Sequence, residues 1–473
     1  MAIEKILSVG IDIGTSTTQA VFSSIAMDNT AGYFQVPRVT IVQKDVVYKS
    51  RIYETPLISR SLIDGEGVRK IVEGEFEKAG YRASDTQTGA VIITGEAARK
   101  ENAAVVLDKL SSFAGEFVVS TAGPDLEAII AGKGSGAWQH SLDENVPVVN
   151  LDIGGGTSNI VEFRDGKAVS KGCVDIGGRN IRFDGRGTVT HISEGAAAVI
   201  ADMGLPIREG EKAEEKDLEK LCRRMAELLW ELIGGRTSPL LEKVQTPGSS
   251  VYRAGAPKTV FFSGGVADCI YSPQDDERAY GDIGVLLGRA IRSCPEYGYY
   301  KEMKPAETIR ATVVGAGSYM TSVSGSTIYY SRKELFPQKN LPVLEISDEW
   351  KSCLAGDGKA LEERIRWFMN QMDTDRLMLL VPGMIHMGYQ ELKSAAKAVS
   401  EAAGILPEDK PLIICLEADY AKALGQTIRL FMKERDVICI DSLHVEQDDY
   451  VDIGSPIMNG IVVPVVIKTL IFG

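Results

Sequence analysis

The chain has 473 residues with 44 % hydrophobic content, which is enough for roughly two to four domains with sizeable cores. Its formal net charge of −13, with no offsetting basic stripe, excludes broad nucleic-acid binding. The seven cysteines include no CxxC pair, so they fit a reducing compartment and argue against a disulfide framework or a cysteine zinc site.

Neither end of the sequence carries a membrane signal. A strand is predicted at 5–9 where a signal peptide would stand, and the apolar segment 461–472 is too short to span a bilayer. We therefore expect a cytoplasmic protein without a membrane partner.

Two stretches of the chain share one plan: an apolar run, a turn rich in Gly, Thr and Ser, and a second apolar run. They span 6–22 and 146–163, and in each an aspartate, Asp12 or Asp152, ends the first run. Alternating and β-branched residues on both sides predict strand, turn and strand. Successive amides in such turns bind anions, and an adjacent aspartate can hold Mg²⁺ through its water shell. The pair predicts two similar half-domains that clamp one nucleotide polyphosphate.

Between the hairpins the chain alternates strand and helix. Residues from about 30 to 88 are predicted as an insertion at the edge of the first half, and 90–131 as strand, helix, strand and a helix begun by Pro124. The glycine-rich stretch 132–136 is predicted as a flexible loop. The alternation predicts an α/β core packed on both faces.

Two further glycine signals follow the second hairpin, each after a predicted strand. The strands are 258–262 and 309–314, and the glycines are Gly264, Gly265, Gly315 and Gly317. Ligands of open α/β sheets bind at strand ends, so these glycines are assigned to nucleotide contact. An amphipathic helix is predicted at 213–233. Beyond about residue 330, strands and helices alternate without a phosphate loop, which predicts a separate α/β region.

Three other motifs are absent from the sequence. It contains no P-loop, no Rossmann glycine fingerprint and no nucleophile-elbow motif. One glycine hairpin alone would be interpreted as a tight turn. Two copies followed by Ser263-Gly264-Gly265 favour a nucleotide site instead.

The ordered motifs resemble those of the actin, sugar-kinase and heat-shock-chaperone ATPase superfamily. Residues 11–15 and 151–157 resemble its two phosphate motifs, and 263–265 its adenosine motif. The resemblance implies a two-lobed, actin-like (ribonuclease H-like) α/β ATPase fold with an additional C-terminal α/β region. The implied parts are a first lobe at 1–145, a second lobe at 146–330 and the extra region at 331–473.

The same resemblance assigns the site residues. Asp12 and Asp152 become the catalytic residues and hold Mg²⁺ through water, with ATP as the nucleotide. The residues implied to contact ATP are Gly14, Thr15, Ser16, Thr17, Gly154, Gly155, Gly156, Thr157 and Ser158, with Gly264, Gly265, Gly315 and Gly317. Arg223 in the 213–233 helix could stack on adenine, the alternative being a solvated helix face.

One departure from the superfamily concerns the residue that positions the attacking water. The chaperones carry a glutamate just before the proline of the connecting segment, and here Gly123 precedes Pro124. Glu96 or Glu127 could substitute, and the alternative for both is a surface carboxylate or a helix cap. This implies a slow ATPase, which suits a switch whose ATP and ADP states favour different lobe angles.

A closer resemblance extends over the full length. The segments 260–266, 281–290, 313–318, 450–456 and 462–470 resemble the reactivating factors of ethanolamine ammonia-lyase. That family implies a chaperone of ethanolamine catabolism, which uses ATP and Mg²⁺ to exchange damaged cobalamin for intact adenosylcobalamin in the lyase. The C-terminal region then becomes the candidate contact for the lyase. A homodimer and association with a bacterial microcompartment are compatible with this resemblance.

Two alternatives stay open at the level of sequence. A small-molecule kinase or a phosphohydrolase could use the same fold, because fold does not dictate function. The second alternative is an actin-like filament or cell-division scaffold. The long C-terminal extension and the lack of a membrane-targeting amphipathic helix argue against a scaffold.

Overall fold

The computed structural model of this protein contains three main sheets, each covered by helices. It describes residues 3–31, 39–59, 62–113, 118–121, 123–253, 255, 257–272, 274–319, 321–381, 383, 387–443, 445, 447 and 449–469. The first two sheets belong to two lobes, and the third forms a C-terminal region. Within these described ranges, no helix combines the length and apolar character that a bilayer crossing demands.

The first lobe is organised around a mixed sheet. The strands of this lobe are β1 (Glu4–Ile13), β2 (Thr17–Asn29), β3 (Val39–Lys49), β4 (Tyr53–Glu54), β5 (Leu57–Ser59), β6 (Leu62–Ile63), β7 (Thr88–Ile93) and β8 (Val118–Thr121), of which β5 and β6 pair only with each other. The helices in this part of the chain are α1 (Gly65–Ala79), α2 (Ala103–Phe113), α3 (Pro124–Gly134) and α4 (Ala137–Asp143). The sheet order is β3-β2-β1-β7-β8, with β1 to β3 antiparallel and with β7 and β8 parallel to β1.

The second lobe repeats this arrangement. Its strands are β9 (Val148–Ile153), β10 (Ser158–Arg164), β11 (Lys167–Val174), β12 (Ile181–Phe183), β13 (Val189–Ile192), β14 (Thr259–Ser263) and β15 (Lys301–Met303). Its helices are α5 (Glu194–Met203), α6 (Glu215–Ile233), α7 (Pro239–Lys243), α8 (Gly265–Tyr271) and α9 (Gly284–Ser293). The order β11-β10-β9-β14-β15 has the same pattern of directions. Two similar α/β half-domains, and with them the two-lobed actin-like fold, are confirmed.

The two hairpins close in the same way. The Gly14 amide donates to the Thr17 carbonyl oxygen at 2.8 Å, and the Gly154 amide to that of Thr157 at 2.9 Å. This equivalence places the two strand-ending aspartates at matching positions of their sheets. The local sequence therefore determines both the turn and the position of its carboxylate.

The segment predicted as an insertion supplies integral parts of the first lobe. β3 is the third strand of the main sheet, and α1 packs Val68, Val72 and Phe76 into the lobe's core. α1 begins where the Asp64 carboxylate accepts the Gly67 amide and ends at Gly80, whose φ of 76° is the left-handed conformation common at helix ends.

Two helices cross between the lobes where the sequence predicted other structure. The predicted strand at 309–314 is wrong, because the chain forms α10 (Ala311–Tyr319), and the predicted loop at 132–136 is wrong, because α3 continues to Gly134. α3 packs on the second sheet and α10 on the first, and the two helices contact each other. A short apolar run is compatible with a strand or a buried helix, and only its packing partners decide between them.

The glycines of this crossing allow the two backbones to approach closely. A Cβ added at Gly134 would lie 1.8 Å from the carbonyl oxygen of Ala311, and one added at Gly315 would lie 2.1 Å from that of Ile130. Gly317 similarly contacts the β1 backbone at Gly10. Gly315 and Gly317 thus pack helices and a strand, and they are not among the described residues that line the cleft between the two lobes.

The C-terminal region is a third α/β unit. Its strands are β16 (Thr321–Val323), β17 (Tyr329–Tyr330), β18 (Gln338–Glu345), β19 (Met378–Val381), β20 (Leu412–Leu416), β21 (Val437–Asp441), β22 (Asp449–Ile453) and β23 (Pro464–Thr469). The helices α11 (Ser347–Leu354), α12 (Lys359–Met372), α13 (Tyr389–Ala402) and α14 (Ala421–Phe431) complete it. The sheet order is β16-β23-β22-β18-β19-β20-β21-β17, with β18 to β21 parallel. Because β16 and β17 belong to this sheet, it begins before residue 331.

Candidate functional site

The two hairpin turns face each other across a cleft of about 290 Å³ between the lobes. The sequence-predicted residues that line it are Asp12, Gly14, Thr15, Ser16, Thr17, Glu127, Asp152, Gly154, Gly155, Gly156, Thr157, Gly264 and Gly265. The turns are so close that a Cβ added at Gly155 would lie 3.0 Å from Ser16 Oγ. Ser158 differs from this prediction, because its buried hydroxyl donates to the Ile176 carbonyl oxygen at 2.6 Å and it is not among the described lining residues.

Three carboxylates from distant parts of the chain meet in this cleft. Asp12 Oδ1 accepts a hydrogen bond from Thr94 Oγ1 at 2.9 Å, and Asp152 Oδ1 accepts one from Ser263 Oγ. Glu127 Oε2 accepts the Gly95 amide at 3.1 Å. All three side chains are buried, so each carboxylate is held in one orientation by a partner from a neighbouring element.

Burial raises the pKa of all three carboxylates, so ionising them costs more in the folded protein than in water. Desolvation raises the pKa of Asp12 to about 7 and that of Asp152 to about 6. Desolvation, followed by the charges of Asp152 and Asp12, raises the pKa of Glu127 to about 8. A bound cation would reverse this situation, because it stabilises the ionised forms.

Buried acceptors without partners indicate what the cleft is built to receive. Gln19 lies opposite Asp12 in the first hairpin and lines the cleft, whereas Asn159 lies opposite Asp152 in the second hairpin and is not among the described lining residues. In the described structure, the buried oxygens Gln19 Oε1 and Asn159 Oδ1 accept no hydrogen bond. Carboxylate and amide oxygens fit Mg²⁺ and its coordinated waters, which would supply the missing donors. The donor set therefore fits a hydrated magnesium ion.

The charge of the residues that line the cleft also favours binding of a cation. The lining carboxylates are those of Asp12, Glu127, Asp152, Asp268 and Asp282. Among the described lining residues, the one lysine or arginine is Arg179, whose Nε lies 3.4 Å from Asp282 Oδ2. A polyphosphate would be repelled by this lining unless a metal ion entered with it.

The second lobe brings Gly264 and Gly265 to the cleft. Gly264 joins β14 to α8 with a φ of 85°, and a Cβ there would lie 2.3 Å from the Ile153 carbonyl oxygen. Glycine is required at this close approach. Tyr280 and Ile52 also line the cleft with partly exposed side chains, one from each lobe. The sequence patterns did not single out either residue.

Of the two weaker carboxylate candidates, the structure describes one in the cleft. Glu127 is only 8 % exposed and faces the two aspartates from the first turn of α3, so its alternative as a surface carboxylate is wrong. The backbone of Glu96 belongs to the 3₁₀ turn Gly95–Arg99, and its side chain lies outside the described structure. Gly123 precedes α3, as the sequence predicted.

Arg223 lies away from the cleft. It is exposed on α6 and is absent from the described lining residues, so its alternative as a solvated helix face is the one the structure shows. α6 buries the apolar stripe that includes Leu218, Leu221 and Met225 against the second lobe, which turns the adjacent Arg223 to solvent.

Gln19, Asn159, Arg179 and Tyr280 were missed at the sequence level. A signal existed for the first two, because each amide follows its aspartate by seven residues. That spacing is the register of the hairpin, in which the two residues stand opposite each other. Arg179 and Tyr280 are brought to the cleft by loops, for which neither periodicity nor a turn motif gave a signal.

We expect the Glu127→Gln variant to remove a pH-dependent cost of burying a charge. Because the folded pKa of about 8 exceeds the ordinary 4.5, the folded protein binds more protons than the unfolded chain between those values, and stability falls as pH rises through them. Without Mg²⁺ the variant should be more stable than the parent by roughly 4 kcal/mol at pH 8 and by less than about 1 kcal/mol at pH 5. Urea unfolding at both pH values measures this, with exposed Glu101→Gln as control. An equal difference at both pH values would contradict it.

The comparisons with known proteins concern the full length of the chain. The family model described as "Ethanolamine utilisation protein EutA" matches residues 4–473. The chain is 34 % identical to the ethanolamine ammonia-lyase reactivase EutA of Salmonella typhimurium, with 100 % of both chains covered. It is also 34 % identical to the protein of that name from Escherichia coli, again with 100 % of both covered.

Solved structures align with about two thirds of the chain. The Aquifex aeolicus Ppx/GppA phosphatase is 13 % identical, covers 66 % of this chain and 99 % of its own, and has a TM-score of 0.39. The ethanolamine utilization protein EutJ of Carboxydothermus hydrogenoformans is 17 % identical, covers 66 % of this chain and 89 % of its own, and has a TM-score of 0.31. Similarity at this level carries no argument about function.

Proposed function

The chain belongs to the ethanolamine utilisation protein EutA family, and we propose that it is a nucleotide-driven reactivating chaperone of ethanolamine ammonia-lyase. The observation that carries this proposal is the full-length match to two relatives that are each named as that reactivase. The cleft supports it, because a nucleotide gripped by matching turns of two lobes can favour one lobe angle over another. The output would be exchange of damaged cobalamin for adenosylcobalamin in the lyase.

ATP with Mg²⁺ is the proposed ligand of the cleft. Asp12 and Asp152 would hold the ion through coordinated waters, and Gln19 Oε1 would accept a hydrogen bond from one of those waters. The ion would neutralise charge on the phosphates and on the leaving group. Backbone amides of the two hairpin turns would bind the phosphate oxygens.

Glu127 is the proposed base for slow hydrolysis. Its carboxylate faces both aspartates and is ionised once a cation offsets their charge. It can then take the proton of the water whose oxygen attacks the γ-phosphorus, while the bond to the leaving ADP oxygen breaks. The alternative, in which Glu127 serves only as a helix cap, would explain the hydrogen bond that it accepts from the Gly95 amide but not its position facing the two aspartates.

α10 is the proposed link between the cleft and the C-terminal region. Thr312 in its first turn lines the cleft, and the Gly264 amide donates to the carbonyl oxygen of Thr308 just before the helix. Toward its end, Ser318 Oγ is 3.0 Å from Ser23 Oγ, and the chain then enters β16 of the third sheet. A helix that packs on the first sheet and on β16, and that follows a residue bonded to the second lobe, can couple nucleotide state to a distant surface.

Region 331–473 is the proposed lyase contact, with an apolar patch at the end of α14. Leu430 and Phe431 are 69 % and 42 % exposed there. Leu430→Glu should weaken capture of the lyase about tenfold, since a charge replaces an apolar contact, and should leave ATP cleavage unchanged. Quantitative pull-down measures this, with Gln371→Glu, which adds the same charge at an exposed position of α12, as control. Equal capture by both variants would place the contact elsewhere.

The proposal is tested by reactivation of the lyase after a block with cyanocobalamin. Activity should return only when the protein, ATP, Mg²⁺ and free adenosylcobalamin are all present. Recovery without nucleotide would contradict the proposal. ATP cleavage stimulated by a sugar or carboxylate but not by the lyase would favour the kinase or phosphohydrolase alternative. Nucleotide-dependent sedimentation of the purified protein would favour the filament alternative. The cytoplasmic location, the homodimer and the microcompartment association stay predictions.

A further inference from the structure

A second cavity, of about 500 Å³, adjoins the nucleotide cleft. It shares Thr15, Ser16, Gly156 and Arg179 with the cleft, so the two cavities meet at the phosphate turns. Residues from both lobes line it, with Glu54 and Lys100 from the first and Arg182 and His191 from the second. It therefore lies beside the phosphate end of the cleft, where neither the reactivation proposal nor the family match assigns a function.

The two cavities have opposite charge. The cleft is lined by five carboxylates and Arg179, whereas the described lining of the second cavity carries three cations and a single carboxylate. The cations are Lys100, Arg179 and Arg182, and the carboxylate is Glu54. Arg182 is exposed and forms no ion pair within the described structure, although Asp282 is near enough to interact with its charge. An anion is therefore stabilised in the second cavity and destabilised in the cleft once its cation leaves.

The basic side of the cavity is attached directly to the second phosphate turn. The Gly178 and Arg179 amides donate to the carbonyl oxygens of Gly154 and Gly155 at 3.0 and 2.6 Å, and Asn180 Nδ2 donates to that of Gly156 at 2.9 Å. Gly177 is required there, because a Cβ would lie 2.5 Å from the Gly155 carbonyl oxygen. Any movement of this turn is thus transmitted to Arg179.

Hydroxyl groups and a helix end add neutral donors to the same wall. Thr15, Ser16 and Ser193 line the cavity, whereas the hydroxyl of Thr190, which also lines it, donates to the Arg182 carbonyl oxygen at 3.2 Å. Ser193 is the N-cap of α5 and receives the Ala196 amide at 3.2 Å, so the positive end of that helix dipole lies at the cavity. Guanidinium groups, hydroxyls and a helix N-terminus together match the oxygens of a phosphate group.

We propose that this second cavity binds a phosphate oxyanion, and that its occupant is the phosphate released from ATP before it leaves the protein. The inference rests on the proposed nucleotide function and deepens it. When water cleaves ATP into ADP and phosphate, the product anion can move past Thr15, Ser16 and Gly156 toward Arg179 and Arg182. Phosphate held there delays the return of the two lobes to the ADP arrangement, which prolongs the state that acts on the partner.

In the primary experiment, inorganic phosphate is titrated into the full-length protein saturated with Mg²⁺ and ADP, and calorimetry measures the affinity for phosphate. Arg182→Gln should weaken phosphate binding about tenfold, because a charge-assisted hydrogen bond is lost. Glu54→Gln should strengthen binding, because it removes the one opposing carboxylate of the described lining. Arg186→Gln is the matched control, since this exposed arginine lies outside both described cavities. Phosphate binding unaffected by Arg182→Gln and Glu54→Gln would overturn the site.

A second measurement identifies the source of the phosphate. In a single turnover, release detected by a fluorescent phosphate sensor should lag behind cleavage detected by acid quench, and Arg182→Gln should shorten the lag. Coincident cleavage and release in the parent protein, or tighter binding of glycerol phosphate than of inorganic phosphate, would overturn the assignment to cleaved ATP. Failed reactivation of the lyase with intact, Arg182-dependent phosphate binding would instead refute the proposed function and leave the site standing.

Discussion

The Asp152→Asn variant is expected to lose about 100-fold in Mg²⁺-dependent ATP cleavage and, with it, the nucleotide-dependent recovery of blocked lyase. Asp152 supplies one of the two strand-end carboxylates that face each other across the lobes. Asparagine keeps the shape and can still accept the hydrogen bond from Ser263 Oγ, but it carries no charge to offset Mg²⁺. The loss is therefore one of metal and nucleotide binding.

The fold itself should survive this substitution. Burial raises the pKa of Asp152 to about 6, so its ionised side chain destabilises the metal-free folded protein at pH 7.5. The neutral asparagine does not carry this cost. Melting without Mg²⁺ should show a Tm equal to or above that of the parent, and a Mg²⁺ titration of ATP cleavage should show the weakened binding. Asp165→Asn, in the exposed turn between β10 and β11, is the control. Full recovery of the lyase by Asp152→Asn would refute the proposed mechanism.

The Gly134→Ala variant is expected to destabilise the protein by about 3 kcal/mol through overpacking at the α3–α10 crossing. The added methyl group would lie 1.8 Å from the carbonyl oxygen of Ala311, and that atom is backbone, which cannot rotate out of the way. Relief requires the two helices to separate. Since they join the two lobes, ATP cleavage should fall as well.

A glycine in open space provides the matched control. Gly74 lies within α1 and has nothing within 4 Å of an added Cβ, so Gly74→Ala should gain up to about 1 kcal/mol from helix propensity. Urea unfolding of both variants measures the contrast. A Gly134→Ala protein as stable as the parent would mean that the helices are not in close contact at this position.

Sequence patterns were sufficient wherever the deciding interactions are local. The two hairpins were predictable because turn residues, β-branched flanks and strand-end aspartates act within about ten residues of each other. Their repetition predicted two similar lobes, and the confirmed sheet orders follow from it. The family resemblance came from short motifs of the same local kind.

Sequence patterns gave wrong predictions where a contact with a distant residue decides between two structures that the local sequence allows. Residues 311–319 form a helix instead of a strand because glycines on both α3 and α10 permit a helix crossing, and an isolated apolar run contains no sign of its partner. The segment from about 30 to 88 was predicted as an insertion for the same reason, since β3 pairs with a strand already used in the first hairpin.

For the site, the local sequence determined which residues could bind phosphate, and the tertiary structure decided the electrostatics. Glu127 became a buried carboxylate beside Asp12 and Asp152 only because α3 enters between the lobes, and Arg223 went to solvent because α6 buries its other face. Raised pKa values, partnerless amide oxygens and a basic cavity next to an acidic cleft all arise from groups far apart in the chain. Desolvation and charge interactions depend on distance in space, which residue spacing does not encode.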